Sequence, residues 1–208
     1  MKSLTNQLPK LFAAITLLLW YVLATSFTSE STGYTTYRVI RQHKEIGKMR
    51  LFRQGQANKQ FISVHAHIHS KLLLDMFIVS KNEASFKDGV LVHSSVYREI
   101  NDKVTVNKNT ILQGKAYQLT NGEQKTMLNQ YPILYNMVLL YVQEPIGVKQ
   151  VYADYYQQFV AITKIGLHTY KMILPDGAVN TYEYHNNSCR RILVENKLYE
   201  VAMELENN

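Results

Sequence analysis

Glu83–Ile100, EASFKDGVLVHSSVYREI, is the stretch that decides the fold. Asp88-Gly89 stands between Glu83–Lys87 and Val90–Ile100, two segments rich in β-forming residues. A two-residue hairpin loop needs positive φ at both central positions, and Asp-Gly supplies it with little strain. The stretch therefore predicts two antiparallel strands joined directly. Upstream, Phe61–His69 alternates cleanly: Ile62, Val64, Ala66 and Ile68 fall on one face, Ser63, His65, His67 and His69 on the other. Further strands read at Tyr34–Arg41, Gly47–Arg53, Lys71–Val79, Val104–Val106 and Ala116–Leu119, the last followed by a turn at Asn121-Gly122. Downstream, Pro175-Asp176-Gly177 separates Leu167–Leu174 from Val179–Tyr184. Asn186-Asn187 then precedes Arg191–Glu195, and Tyr199–Leu205 follows.

One stretch breaks this rhythm. Pro132–Tyr141 is apolar nearly all round, opens on a proline suited to a first helical position and stops before Pro145. It predicts one short helix, about 132–141, plugging the apolar face of the sheet, with a buried strand as the alternative. About ten short strands with tight turns and no βα alternation predict a mainly β protein. Its single antiparallel curved sheet forms a barrel or half-barrel, because such a sheet must protect its edges.

The N-terminus carries a different signal. Met1–Lys10 has Lys2 and Lys10 and no acid, Leu11–Ala24 is apolar apart from Thr16, and small residues follow at Ala24, Thr25 and Ser26. That order is a secretory signal, cut after Ala24 or Ser26, with an apolar run short of the roughly 20 residues of a membrane span. The expected organisation is a signal peptide over 1–26 and one antiparallel β domain over 27–208, located in the periplasm or outside the cell. An uncleaved anchor over 11–24 is the alternative.

The formal charge is +7, and Lys2 and Lys10 account for two of it. From Phe27 to Lys71 eight basic residues face two acids, whereas the rest is nearly balanced. A basic face attracts anions; for an exported protein that means lipid or an anionic glycan of the envelope, not nucleic acid. A merely solvated face is the plainer reading. Cys189 is the sole cysteine, so no intramolecular disulfide forms and the apolar core must hold the fold. Nothing around it marks a nucleophile beyond Arg190 and Arg191.

Taken in order, Ala84–Leu91 (ASFKDGVL) with Ser94-Ser95, Pro132-Ile133 with Leu140-Tyr141 and Glu144-Pro145, and Pro175-Asp176-Gly177 with Asn180, Tyr182 and Tyr184 form a pattern over nearly all of the mature chain. It resembles a family of exported bacterial β-rich proteins of unknown function, itself similar to the barrel proteins of the capsule-export lipoprotein kind. The resemblance implies fold and compartment and carries over no catalytic residue. The lipid-attachment cysteine of the capsule-export lipoproteins has no counterpart here.

Two sets of residues invite chemistry. His65, His67 and His69 sit about 6.6 Å apart along one strand face, and two imidazoles so spaced converge on zinc when a third ligand such as His93, His168 or His185 joins them. Without a companion thiol or acid at ligand spacing, a polar solvated face is the better reading. The tyrosines are the second set: Tyr152, Tyr155, Tyr156, Tyr182 and Tyr184 are candidates to stack on a sugar or an acyl chain, against the alternative of cross-strand packing. Nucleophile elbows, zincin helices, phosphate loops and Cys pairs are all missing from the sequence. No catalytic residue and no cofactor is predicted. The reading is a non-enzymatic envelope protein that binds a lipid, another amphiphile or an anionic envelope component, or that serves assembly. A hydrolase using His65 and His67, and an interaction module with a filled barrel, are its rivals. Oligomeric state is left open.

Overall fold

The computed structural model describes residues 31–71 and 75–206. The export signal read in residues 1–26 lies outside the described residues. Fourteen strands follow in chain order: β1 (Ser31–Arg41), β2 (Lys44–Gln56), β3 (Lys59–Lys71), β4 (Asp75–Lys87), β5 (Val90–Ile100), β6 (Lys103–Gln113), β7 (Ala116–Asn121), β8 (Gln124–Leu128), β9 (Gln150–Ala153), β10 (Gln158–Gly166), β11 (Thr169–Ile173), β12 (Val179–His185), β13 (Ser188–Glu195) and β14 (Glu200–Leu205). They form one sheet in the order β8-β7-β6-β5-β4-β3-β2-β1-β14-β13-β12-β11-β10-β9. Every pairing is antiparallel, and the terminal strands β8 and β9 are not bonded to each other. The sheet is thus a curved, unclosed barrel of two wings, β1–β8 and β9–β14, joined where β1 pairs with β14.

The expected antiparallel β fold is what forms. Asp88-Gly89 turns with φ of 52° and 75°, as the hairpin demands. The second turn moves by one residue: Asn121 pairs with Gln124, and Gly122 takes the first turn position at φ 59°, the place where a glycine-led hairpin needs positive φ. Lys71–Val79 and Glu83–Lys87 belong largely to one strand, β4, which runs unbroken through Ser80-Lys81-Asn82. Strands β8, β9 and β10 lie where the sequence pattern assigns none. Gly47 lets β2 approach β3 closely, since a Cβ there would stand 2.1 Å from the His67 carbonyl oxygen.

The helix expected over about 132–141 is present as a single 3-10 turn, Leu139–Tyr141. The rest of that stretch is an extended strap, because its backbone groups find partners in the sheet interior and need no helix of their own. Leu91 N–H donates to the Ile133 carbonyl, Tyr152 N–H to the Tyr135 carbonyl and Met137 N–H to the Tyr152 carbonyl. Asn136 forms a parallel bridge with Tyr152 of β9. Ile133, Val138, Leu139 and Leu140 are buried with Ile62, Val64, Leu91, Met172 and Ile192 from the inner face. The strap is therefore the plug, made of chain in extended form.

Strand alternation sorts the turns onto two rims. The lower rim carries turns 57–58, 88–89, 114–115, 167–168 and 186–187; the upper carries 42–43, 101–102, 122–123, 154–157, 174–178 and 196–199.

Candidate functional site

The sheet's open side is bridged by side chains at the upper rim. The four-residue turn between β9 and β10 carries Tyr155, Tyr156 and Gln157, the last at φ 55°. Gln157 Nε2 donates to the backbone carbonyls of Asn109 on β6 and Thr120 on β7, at 3.0 and 3.2 Å. Lys108 Nζ donates to the Tyr155 carbonyl at 2.6 Å. Deeper in, the Tyr152 hydroxyl and Thr110 Oγ1 share a buried hydrogen bond of 2.9 Å. These contacts dock one wing onto the inner face of the other.

Two cations converge there. The Arg98 guanidinium carbon and Lys108 Nζ each lie 5.1 Å from the centroid of the Tyr155 ring. Tyr155 packs edge-on against Tyr156, with centroids 4.8 Å apart. The Tyr156 hydroxyl donates to Asp176, and that bond is the main force holding the Asp176 carboxyl below its usual value. Among the described residues, neither Arg98 nor Lys108 makes a salt bridge within 4 Å. Arg98 pairs across the sheet with Ser80 and Val106, so its side chain belongs to the inner face along with Ser80, Asn82 and Lys108.

Next to Tyr155 in the same turn lies a buried acid. Asp154, with 4% of its surface exposed, accepts from Asn136 Nδ2 at 3.1 Å. Burial pushes its carboxyl up to about 6, against the opposing pull of Ser94 and Asn136. Ser94 Oγ and Asp154 Oδ2 are both buried and neither completes a well-formed hydrogen bond. Incompletely satisfied buried polar atoms are uncommon in native interiors and mark a strained or functional place. The site thus offers a cationic, aromatic entrance beside a small buried polar cluster. Such a geometry can hold an anionic group against a flat apolar face.

The sequence-derived candidates divide. Tyr155 and Tyr156 line this entrance. Tyr152, Tyr182 and Tyr184 are buried and committed inside: Tyr152 to Thr110, Tyr182 to Asn180 at 3.2 Å, and Tyr184 to the Leu140 carbonyl at 2.7 Å. They tie the sheet to itself and to the strap. Arg98, Lys108 and Asp154 were not singled out from the sequence, although Ser80-Lys81-Asn82 carried a signal. A polar break in an otherwise apolar inner face marks a wall that meets solvent or ligand.

His65, His67 and His69 project together from the exposed face of β3. Their cross-strand neighbours are Arg50, Lys48, Lys81, Val79 and Phe77. Desolvation against the sheet and the nearby Lys81 hold the His65 imidazole below its usual value. His69 stacks on Phe77 with centroids 4.2 Å apart. His93 lies on β5, two strands away, and His168 and His185 sit on the other wing. Among the described residues no group of three or more His, Cys, Asp or Glu side chains stands together as a metal site requires. The double change His65→Ala with His67→Ala is expected to shift stability by less than about 0.5 kcal/mol, as exposed substitutions do. Thermal melts with and without a chelator test this, and a chelator-sensitive loss above about 2 kcal/mol would contradict it. Cys189 is fully buried, and burial pushes its thiol up to about 12, so it is poorly suited to act as a nucleophile.

A second polar cluster lies at the lower rim. Glu144, buried in the loop after the 3-10 turn, accepts from the Tyr170 hydroxyl at 2.7 Å and faces His168 Nδ1 at 3.0 Å. Its N–H donates to Asn187 Oδ1 at 3.0 Å. Burial raises the Glu144 carboxyl, but the hydrogen bonds from Tyr170 and His168 outweigh it and hold the group low.

Fold and sites together define a β-barrel-like antiparallel protein with two cations gathered on a tyrosine ring at its upper rim. The chain belongs to the family of the domain of unknown function DUF6134, whose pattern matches residues 37–206. It is also similar to a solved structure, the beta-barrel-like protein of domain of unknown function DUF1849 from Brucella abortus. The TM-score is 0.53 at 9% identity, covering 85% of this chain and 96% of that one, so the likeness is one of fold. No curated protein matches the chain.

Proposed function

We propose that the protein is an exported, non-enzymatic envelope protein that binds an anionic envelope component at the upper-rim entrance. Arg98 and Lys108 would hold the acidic group, while Tyr155 and Tyr156 would lie against an adjoining sugar ring or acyl chain. The observation that carries this reading is the pair of cations over one tyrosine ring, without a carboxylate salt bridge, beside a buried acid with an incompletely satisfied oxygen. Cation–aromatic placement of this kind is worth about 0.5–2 kcal/mol per contact, and charge-assisted hydrogen bonds to an anion add to it. The signal-like N-terminus and the resemblance to capsule-export-type envelope proteins support the compartment.

A lipid headgroup and an acidic glycan share this chemistry, so the test has two arms. Calorimetric titration with short uronic-acid oligosaccharides and with anionic-lipid micelles is expected to give saturable binding in one of them. Changing Arg98→Gln and Lys108→Gln together is expected to weaken it at least about tenfold, equivalent to about 1.4 kcal/mol. Saturable binding indifferent to both changes would refute the assignment of the site. The burial of Tyr152, Tyr182 and Tyr184 favours a second reading, an interaction module with a filled interior; no binding in either arm would select it.

A further inference from the structure

The lower rim of the β9–β14 wing presents a surface of a different kind. Three loops meet there: 143–149 before β9, the β10–β11 turn at 167–168 and the β12–β13 turn at 186–187. Glu144 pins them together through His168 and Asn187. Two large apolar side chains stand out from this clamp into solvent, Ile146 at 73% exposure and Leu167 at 82%. Around them are Lys149, Lys164, His168, His185 and Arg190. The sole acid in residues 143–150, 163–169 and 185–190 is Glu144, and it is buried.

We infer that this rim docks on an anionic lipid surface, with Ile146 and Leu167 entering the headgroup region and Lys149, Lys164 and Arg190 meeting the phosphates. Charge complementarity is the argument. Basic residues are drawn to an anionic bilayer, and apolar side chains gain by leaving water for its headgroup region. The shape agrees: isolated apolar tips separated by cations suit a soft polar–apolar boundary, whereas a protein partner favours a contiguous apolar core within a polar rim. Because the Glu144 charge is held inside the clamp, it both fixes the three loops and leaves the loops themselves without exposed negative charge. Docked in this way, the protein would turn the Arg98–Lys108 entrance away from the lipid, so the inference stands whether or not that entrance binds a ligand.

The test reads the tip itself, which separates it from any membrane affinity of residues 11–24. An environment-sensitive fluorophore is attached to Leu167→Cys in the full chain and, separately, to Asn101→Cys on the opposite rim; Cys189, fully buried, stays unlabelled in the fold. Vesicles of phosphatidylcholine with about one-third phosphatidylglycerol are expected to blue-shift the label at 167 and not at 101. High salt and the double change Lys149→Gln with Lys164→Gln are each expected to weaken that response at least severalfold, because exposed charges are screened. No shift at 167, equal shifts at both rims, or a shift indifferent to salt and to the lysines would overturn the inference. So would a concentration-dependent shift without lipid, which would mean that the tip packs against a second copy of the chain.

Discussion

Tyr117→Phe is expected to lower stability by about 3 kcal/mol, the larger part from one stranded backbone amide. The Tyr117 hydroxyl accepts from the Ile133 N–H at 3.0 Å and donates to the Leu91 carbonyl at 3.0 Å, all of it buried. This one oxygen fastens the start of the strap to β5 and β7. Phenylalanine keeps the ring but leaves the Ile133 N–H without an acceptor where water does not reach. The Leu91 carbonyl loses its hydroxyl donor as well, a smaller loss because a carbonyl short of one partner is tolerated better than an orphaned N–H. For a domain of this size the loss corresponds to a fall of about 6–12 °C in melting temperature. Tyr97→Phe is the control: its hydroxyl bonds Glu99 in a partly exposed setting, and its removal is expected to change stability by less than about 1 kcal/mol. Equal effects from the two changes would mean that the Tyr117 hydroxyl does not anchor the strap.

Asp154→Asn is expected to stabilise the protein at neutral pH by about 3 kcal/mol, the worth of the Asp154 shift. The carboxyl titrates near 3.8 when unfolded and near 6 in the fold, because burial opposes its charge. Between those values the native state holds a proton that the unfolded chain has released. Stability from the neutral acid is therefore complete below about pH 4 and is lost as pH rises through 6. Asparagine never carries the charge. Its oxygen can keep the bond from Asn136 Nδ2, and its amide can donate to Ser94 Oγ, which closes the gap between the two incompletely satisfied atoms. Melts of both proteins from pH 4 to 8 should diverge as pH rises, with the variant ahead at pH 8 and the two close at pH 4. A constant difference across that range would show that Asp154 does not titrate in the fold. A buried acid that costs stability at neutral pH is a mark of a site kept for something other than folding, which agrees with its place next to Tyr155.

Much of the sheet was legible because turn chemistry is local. Asp88-Gly89, Pro175-Asp176-Gly177 and Asn186-Asn187 each announce a change of direction through residues that tolerate the required backbone. Gln42-His43 does the same work at φ 47° and 63° without such a residue, so its position rests on the strands either side. The form of the strap is not legible in the sequence, because an apolar run has the same composition whether it becomes a buried helix or buried extended chain. Tertiary partners decide, namely the Leu91 and Tyr152 N–H groups and the Tyr152 carbonyl. The entrance was half legible. Tyr155 and Tyr156 stand next to each other in sequence, but Arg98 and Lys108 reach them only because the last strands curl over the first. No spacing within the chain records that approach.

The seam between β1 and β14, from Tyr37 opposite Leu205 to Ile40 opposite Ala202, sets an order of assembly. Every other strand pairing in the sheet joins strands that follow one another in the chain, so each wing can zip up by successive hairpins. β1, the first of these strands in the chain, waits for its second neighbour until the last strand is in place. During that interval it presents a bare edge, the kind of edge on which other chains pair. Closing the seam also demands the longest loop in the molecule, which makes it the natural slow step. A chain interrupted before Glu200 would leave β1 and β13 each with one bare edge. Its expected failure is association edge to edge with its own kind, not a gradual loosening of the barrel.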